Sequence, residues 1–136
     1  MFTTETQIRV RYAETDQMGY VYYGNYAAYY EVGRVEAMRN IGFSYKKLED
    51  EGIMMPALEN YSRYYKPGRY DELLTIKVEV REMPGVRIRF DCTITNEAGE
   101  TINEGYTLLT FIRTDNHRPC RPPKDLLELM RPYYEG

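Results

Sequence analysis

The residues between Arg11 and Gly24 hold the groups best suited to chemistry: two carboxylates, Glu14 and Asp16, then Gly19, then a Tyr23-Gly24 pair standing where an amphipathic pattern begins. A carboxylate beside a carbonyl carbon can attack it to form an anhydride, or can orient and deprotonate a water. An aspartate in water is a weak base at neutral pH, so direct attack stays open beside water activation. The plain alternative is that Asp16 opens a turn closed by Gly19, since Asp first and Gly fourth suit a type I turn. Attack on a carbonyl drives negative charge onto its oxygen, and the first N–H groups of a helix are unpaired and positively biased. The N–H of Tyr23, with Gly24 beside it, is the candidate donor, against the alternative of an ordinary helix start. Glu14 is the nearby competing carboxylate. Glu31, two turns into the helix, reads as a surface charge.

Other chemistries lack their residues. His117 is the only histidine and sits in the turn-like run Asp115-Asn116-His117-Arg118-Pro119, which excludes a multi-histidine metal site and argues against a triad. Cys92 and Cys120 match no metal or redox spacing and read as free thiols, Cys92 within a strand. There is no P-loop and no dinucleotide fingerprint. A net charge of −3 argues against a nucleic-acid partner. No stretch approaches the ~20 apolar residues of a membrane span, and Met-Phe-Thr-Thr-Glu-Thr lacks the basic head and apolar run of a signal peptide, so a cytoplasmic location is expected.

The positioning elements follow from periodicity. Gln7–Ala13 alternates as a strand, with Ile8, Val10 and Tyr12 on one face. From Gly24, Tyr26, Tyr30, Gly33, Ala37 and Ile41 recur at helical steps, predicting a helix that ends near Gly42, with Ala27, Ala28 and Gly33 as small residues for close packing. Ser44 reads as the N-cap of a short helix to Glu51. Leu58–Tyr65, Leu73–Glu82, Val86–Thr95 and Ile102–Arg113 read as strands, with Lys66-Pro67-Gly68, Met83-Pro84-Gly85 and Asn96–Glu100 as turns that make the four antiparallel neighbours. Pro123 to Arg131 reads as a last short helix. One long helix against one antiparallel sheet is an α+β fold.

The run Arg11-Tyr12-Ala13-Glu14-Thr15-Asp16-Gln17-Met18-Gly19-Tyr20-Val21-Tyr22-Tyr23-Gly24-Asn25-Tyr26 resembles the active-site segment of the 4-hydroxybenzoyl-CoA thioesterase-like branch of the hotdog superfamily. Tyr30-Glu31-Val32-Gly33-Arg34-Val35-Glu36 is similar to its central helix, and Tyr65-Lys66-Pro67-Gly68-Arg69-Tyr70-Asp71-Glu72 to the lead-in to its third strand. The resemblance implies one hotdog domain over residues 1–136, a five-stranded antiparallel sheet wrapped around one long central helix. It implies hydrolysis of an acyl-CoA thioester to a carboxylic acid and free coenzyme A without a cofactor. Asp16 would be nucleophile or general base and the Tyr23 amide the oxyanion donor. Glu14, at a position that is not catalytic in the matching pattern, would be solvated or structural, and Glu31 is the fallback carboxylate because other hotdog branches place theirs on this helix. Self-association as a homodimer, strands pairing edge to edge with sites between subunits, or as a homotetramer is also implied. Tyr23 departs from the Tol-Pal-associated relatives, which carry histidine at the matching place. Tyr12 either orients the site or is a buried strand tyrosine.

Coenzyme A carries a diphosphate and a 3′-phosphate, which call for cations at the pocket mouth. Arg63, Lys66 and Arg69 form one candidate cluster, Arg81, Arg87 and Arg89 another, and Arg118 and Arg121 are weaker options. Fifteen tyrosines and seven methionines, with no tryptophan, suit either an acyl tunnel or ordinary core packing. Two other readings remain: a hotdog dehydratase or hydratase, which would want a histidine that His117 is badly placed to supply, and a non-catalytic acyl-CoA or aromatic-ligand binding module.

Overall fold

Burial alternates along the two central strands. Leu74, Ile76, Val78 and Val80, then Ile88, Phe90, Cys92 and Ile94, are buried on one face, while mostly charged and polar residues between them face the other way. In the computed structural model, which describes residues 1–135, the chain runs β1 (Phe2–Arg9), a 3-10 turn (Tyr12–Glu14), α1 (Asn25–Ile41), α2 (Tyr45–Asp50), β2 (Ile53–Met54), β3 (Ala57–Tyr64), β4 (Leu73–Val80), β5 (Arg87–Thr95), β6 (Thr101–Thr110), β7 (Ile112–Arg113) and α3 (Lys124–Met130). The main sheet is antiparallel in the order β1-β4-β5-β6-β3, and β2 pairs separately with β7. With α1 packed on the inner face, this is the hotdog arrangement expected from the sequence.

Helix α1 ends as predicted, at a left-handed Gly42 (φ 94°) whose N–H reaches Arg39 O and Met38 O. It buries Tyr26, Tyr29, Tyr30, Ala37, Met38 and Ile41, each large side chain contributing about 1.5–3 kcal/mol of transfer free energy. Gly33 lets the helix touch the sheet: a Cβ there would lie 2.9 Å from the Cγ2 atoms of both Ile76 and Val78. Ala27 and Ala28, expected to serve the same close approach, are exposed and face away from the sheet.

The first strand differs from its expected span. It begins at Phe2, pairs from Phe2↔Val80 to Arg9↔Leu73, and stops before Tyr12. The reason is local. The Val10 N–H closes the ladder on Glu72 O at 2.9 Å, but the Arg11 N–H turns to the Glu14 carboxylate, also at 2.9 Å, which curls the chain into the 3-10 turn. Tyr12 therefore sits on that turn at 78% exposure and is not a buried strand tyrosine.

The four later strands are not all hairpin neighbours either. β3 crosses to the far edge beside β6, while β4 lies between β1 and β5. The 65–72 connection is anchored on the way: Tyr65 and Lys66 donate to Ile102 O, and Gly68 O accepts the Val21 N–H at 2.8 Å. The expected strand 102–113 divides into β6 and β7, and β7 serves the separate pair with β2.

Helix and edge strand are joined by a polar triangle. The buried Tyr30 hydroxyl donates to Asn103 Oδ1, Asn103 Nδ2 donates to Ser62 Oγ at 2.8 Å, and Ser62 Oγ lies 3.1 Å from the Tyr30 hydroxyl. Such a buried network holds only when its members satisfy one another. Gly105 leaves the room for it, because a Cβ there would fall 1.9 Å from Tyr61 O and 2.7 Å from the Tyr30 hydroxyl. Main chain cannot give way as a flexible side chain does, so Gly105→Ala is expected to cost at least about 3 kcal/mol, at the upper end of overpacking effects. Urea unfolding of the wild type and the variant measures this difference directly.

Candidate active site

The segment from Glu14 to Tyr22 folds back on itself as a short irregular ladder. Tyr22 N–H donates to Glu14 O at 2.9 Å, Thr15 bridges Val21, and Asp16 N–H donates to Tyr20 O at 2.8 Å. The closed end is a turn, with Gly19 N–H on Asp16 O at 3.0 Å and Gly19 at φ 78°, a left-handed conformation that suits glycine. The turn reading of Asp16 is thus realised. Its Oδ1 also accepts the Met18 N–H at 2.9 Å and the Tyr20 N–H at 3.3 Å. Among the described residues Oδ2 has no hydrogen-bond donor, so the half-buried carboxylate is fixed through one oxygen and offers the other.

The open end of the loop runs into α1. Gly24 stands at the N-cap, Asn25 N–H donates to Tyr22 O at 2.8 Å, and Tyr26 N–H to Tyr23 O at 3.3 Å. Neither the Tyr23 nor the Gly24 N–H meets an acceptor among the described residues. These are the unpaired amides of a helix start, and Tyr23 is 64% exposed.

Glu14 is structural rather than solvated. Its carboxylate accepts from the Arg11 main chain, from the Arg11 guanidinium at 3.0 and 3.3 Å, and from the Tyr29 hydroxyl at 3.0 Å. Partial burial pushes its titration up, but the Arg11 N–H, the Arg11 guanidinium and the Tyr29 hydroxyl outweigh that and hold it below the usual carboxylate range. Glu31 is exposed on α1, as expected of a surface charge.

The candidate cations divide into two places. Arg69 comes to the Asp16 turn: it bridges Tyr20, its guanidinium lies 5.0 Å from the Tyr20 ring centre, and Tyr70 N–H reaches Gly19 O. Tyr12 meets Tyr70 edge-on at 5.7 Å beside it. Lys66, on the same connection, is paired with Glu100. Arg81, Arg87 and Arg89 instead line a groove of about 510 Å³ with Asp91 and Leu108 on the outer face of the sheet. Arg63 lies over the Tyr65 ring on that same face. Asp91 pairs with Arg89 at 3.1 Å and Arg81 at 3.8 Å, which leaves Arg87 without a carboxylate partner among the described residues. Since eight strand residues span roughly 25 Å, the Arg81 end of β4 is remote from the Leu73 end, to which Val10 and the Asp16 loop are tied.

Sequence reasoning missed three contributors. Tyr64 sets its ring against both Tyr23 (6.4 Å) and Tyr26 (5.6 Å). Tyr29 holds Glu14, and Asn25 Nδ2 donates to Glu14 O at 2.8 Å. The helical spacing of Tyr29 from Tyr26 was the available signal for one of them; the other contacts join separate segments. His117 lies exposed in its turn at φ 57°, away from this cluster.

A family model described as Thioesterase-like superfamily matches residues 10–130. The chain belongs to that superfamily. It is 32% identical over 120 residues to the acyl-CoA thioester hydrolase YbgC of Escherichia coli O6:H1, covering 88% of this chain and 90% of that one. The crystal structure of a DHNA-CoA thioesterase from Staphylococcus aureus superposes with TM-score 0.92 at 35% identity, covering 98% and 92% of the two chains. Slr0204 of Synechocystis, a 1,4-dihydroxy-2-naphthoyl-CoA thioesterase, shares the fold at 15% identity and TM-score 0.89. Among the described residues of this superfamily member no helix is long and apolar enough to cross a membrane.

Cys92 packs inside β5, where burial pushes its thiol up to about 12. Cys120 is only half-buried. A thiol-specific reagent at pH 8 is expected to modify Cys120 in the native protein and to reach Cys92 only after denaturant is added, with mass spectrometry as the readout.

Proposed function

We propose that this chain hydrolyses an acyl-CoA thioester to a carboxylic acid and free coenzyme A, with Asp16 as the reacting carboxylate and the Tyr23 and Gly24 amides as the oxyanion site. The observation that carries the reading is the pairing, on one loop, of a carboxylate with one uncommitted oxygen and a helix start with uncommitted N–H groups. Asp16 Oδ2 attacks the thioester carbon, or draws a proton from a water that does. The carbonyl oxygen takes up negative charge and is held by the amides, the C–S bond breaks, and the thiolate leaves. In the direct route a water then opens the acyl-aspartyl anhydride. The exposed Tyr23 and Tyr64 rings beside the donor favour an aryl acyl group, in keeping with the DHNA-CoA thioesterase named above.

The active unit in this reading is a homodimer. β3 is a sheet edge with Leu58, Tyr61 and Tyr64 exposed, and an eight-residue edge with open N–H and C=O groups favours a second strand. Two copies of β3 related by a two-fold axis run antiparallel, so the Tyr64 end of one meets the Ala57 end of the other. Ala57 aligns through Leu109 with Ile88, which brings the Arg87 groove of one copy toward the Asp16 end of the other. Coenzyme A phosphates then meet Arg87 and Arg89 across the interface, with Arg69 at the near side. Arg63, Lys66 and Arg81 are supporting charges, and Tyr12 flanks the mouth.

Asp16→Asn is expected to lower the rate of thiol release at least about 100-fold over a panel of aryl and alkyl acyl-CoAs, the loss typical of a reacting group. Wild-type rates in this variant would remove Asp16 from the chemistry, and tight acyl-CoA binding without turnover in the wild type would favour the binding-module reading. Arg87→Ala is expected to raise KM about tenfold for acyl-CoA, the range of a charge-assisted hydrogen bond, and to leave the kinetics of the matching acyl-pantetheine, which lacks the nucleotide, unchanged.

A further inference from the structure

Glu14 is bonded to both halves of the candidate site. Its Oε1 accepts the Arg11 N–H at 2.9 Å and the Tyr29 hydroxyl at 3.0 Å, and its Oε2 accepts the Arg11 guanidinium. Its main-chain oxygen accepts the Tyr22 N–H at 2.9 Å and the Asn25 side chain at 2.8 Å. Asp16 lies two residues beyond it, and Tyr22 and Asn25 flank Tyr23 and Gly24. Tyr29 is buried on α1, one turn into the helix.

We propose that Glu14 is a positioning residue for the thioester reaction, a clamp that fixes the Asp16 turn against the helix start bearing the Tyr23 and Gly24 amides. This rests on the reading of Asp16 given above and assigns Glu14 no contact with substrate. The two reacting parts sit at opposite ends of a short loop with few backbone pairs between them, so their relative placement depends on what ties the loop to α1. Arg11 holds the carboxylate from the turn side and Tyr29 from the helix side. The main-chain bonds to Tyr22 and Asn25 hold the same residue against the first turn of the helix. A misplacement of ~1 Å between reacting groups costs about 100-fold in rate, so loosening the clamp falls on turnover and leaves binding intact.

The charged and titratable groups facing the Glu14 carboxylate are Arg11 and Tyr29. Burial, and then the carboxylate itself, push the Tyr29 hydroxyl above the usual phenol range, so it remains a donor at any working pH. With Glu14 held below the usual carboxylate range, the clamp is intact at neutral pH and is lost only as pH falls through that lowered value.

The test compares Glu14→Gln, Tyr29→Phe, the double variant and Asp16→Asn by kcat, KM and thermal unfolding. Gln keeps the shape but gives up the pairing with the Arg11 guanidinium, and Phe removes only the link to the helix. Each single variant is expected to lower kcat about tenfold with KM within about twofold. The double variant should be no slower than the worse single, since both remove one device. Wild-type kcat in both single variants while Asp16→Asn is inactive overturns the clamp and leaves the Asp16 reading standing. Full activity in Asp16→Asn overturns both. A rate loss that follows only the loss of folded protein, with additive effects in the double variant, reduces Glu14 to a stabilising residue and also overturns the proposal.

Discussion

The near-contact of α1 with the middle of the sheet governs the rest of the molecule. Gly33 rests against Ile76 and Val78 with no space for a methyl group, so the helix axis is held at the height that a bare backbone allows. From that height Tyr30 reaches exactly as far as the Asn103 and Ser62 side chains, and Tyr29 as far as Glu14. A helix raised by one methyl layer would break both connections, releasing the edge strand on one side and the Asp16 loop on the other. Packing in the core thus decides the placement of polar groups at the surface.

What could be read from the chain was whatever two faces of an element make unequal. β4 and β5 have one buried face and one wet face, and their alternation fixed span and orientation closely. α1 was read for the same reason, down to its left-handed glycine. β3 is exposed along nearly its whole length, so its residues carry no cue about which strand it joins, and only the tertiary structure reveals its crossing to β6. The end of β1 was hidden too: Val10 and Tyr12 continue the alternation, while the backbone obeys Glu14, which captures the Arg11 N–H.

The candidate site was legible in its single residues and not in their connections. Asp16 stands out through the family resemblance, its local sequence alone reading as a turn, while the Tyr23-Gly24 helix start follows from periodicity, which is a local matter. Glu14 reads as a structural or solvated charge because the matching family pattern places no catalytic group there, and its partners Asn25 and Tyr29 lie on another element, out of reach of local sequence. The arginines show the converse. Arg63 and Arg69 are close in sequence, yet Arg63 lies on the outer face of the sheet with Arg81 and Arg89, while Arg69 lies at the Asp16 turn.

The pairing of β1 with β4 has a consequence for how the molecule is made. Phe2 meets Val80 and Arg9 meets Leu73, so β1 waits for a partner synthesised much later, and α1 has no sheet to rest on until then. Contacts of such sequence separation form late because the chain must lose much freedom before they repay it. The loop carrying Asp16 hangs between these two waiting elements. That loop, made before the strands that support it, is therefore among the last parts to take its final shape, and a nascent chain carries Asp16 in an unorganised form until β4, β5 and β6 have emerged.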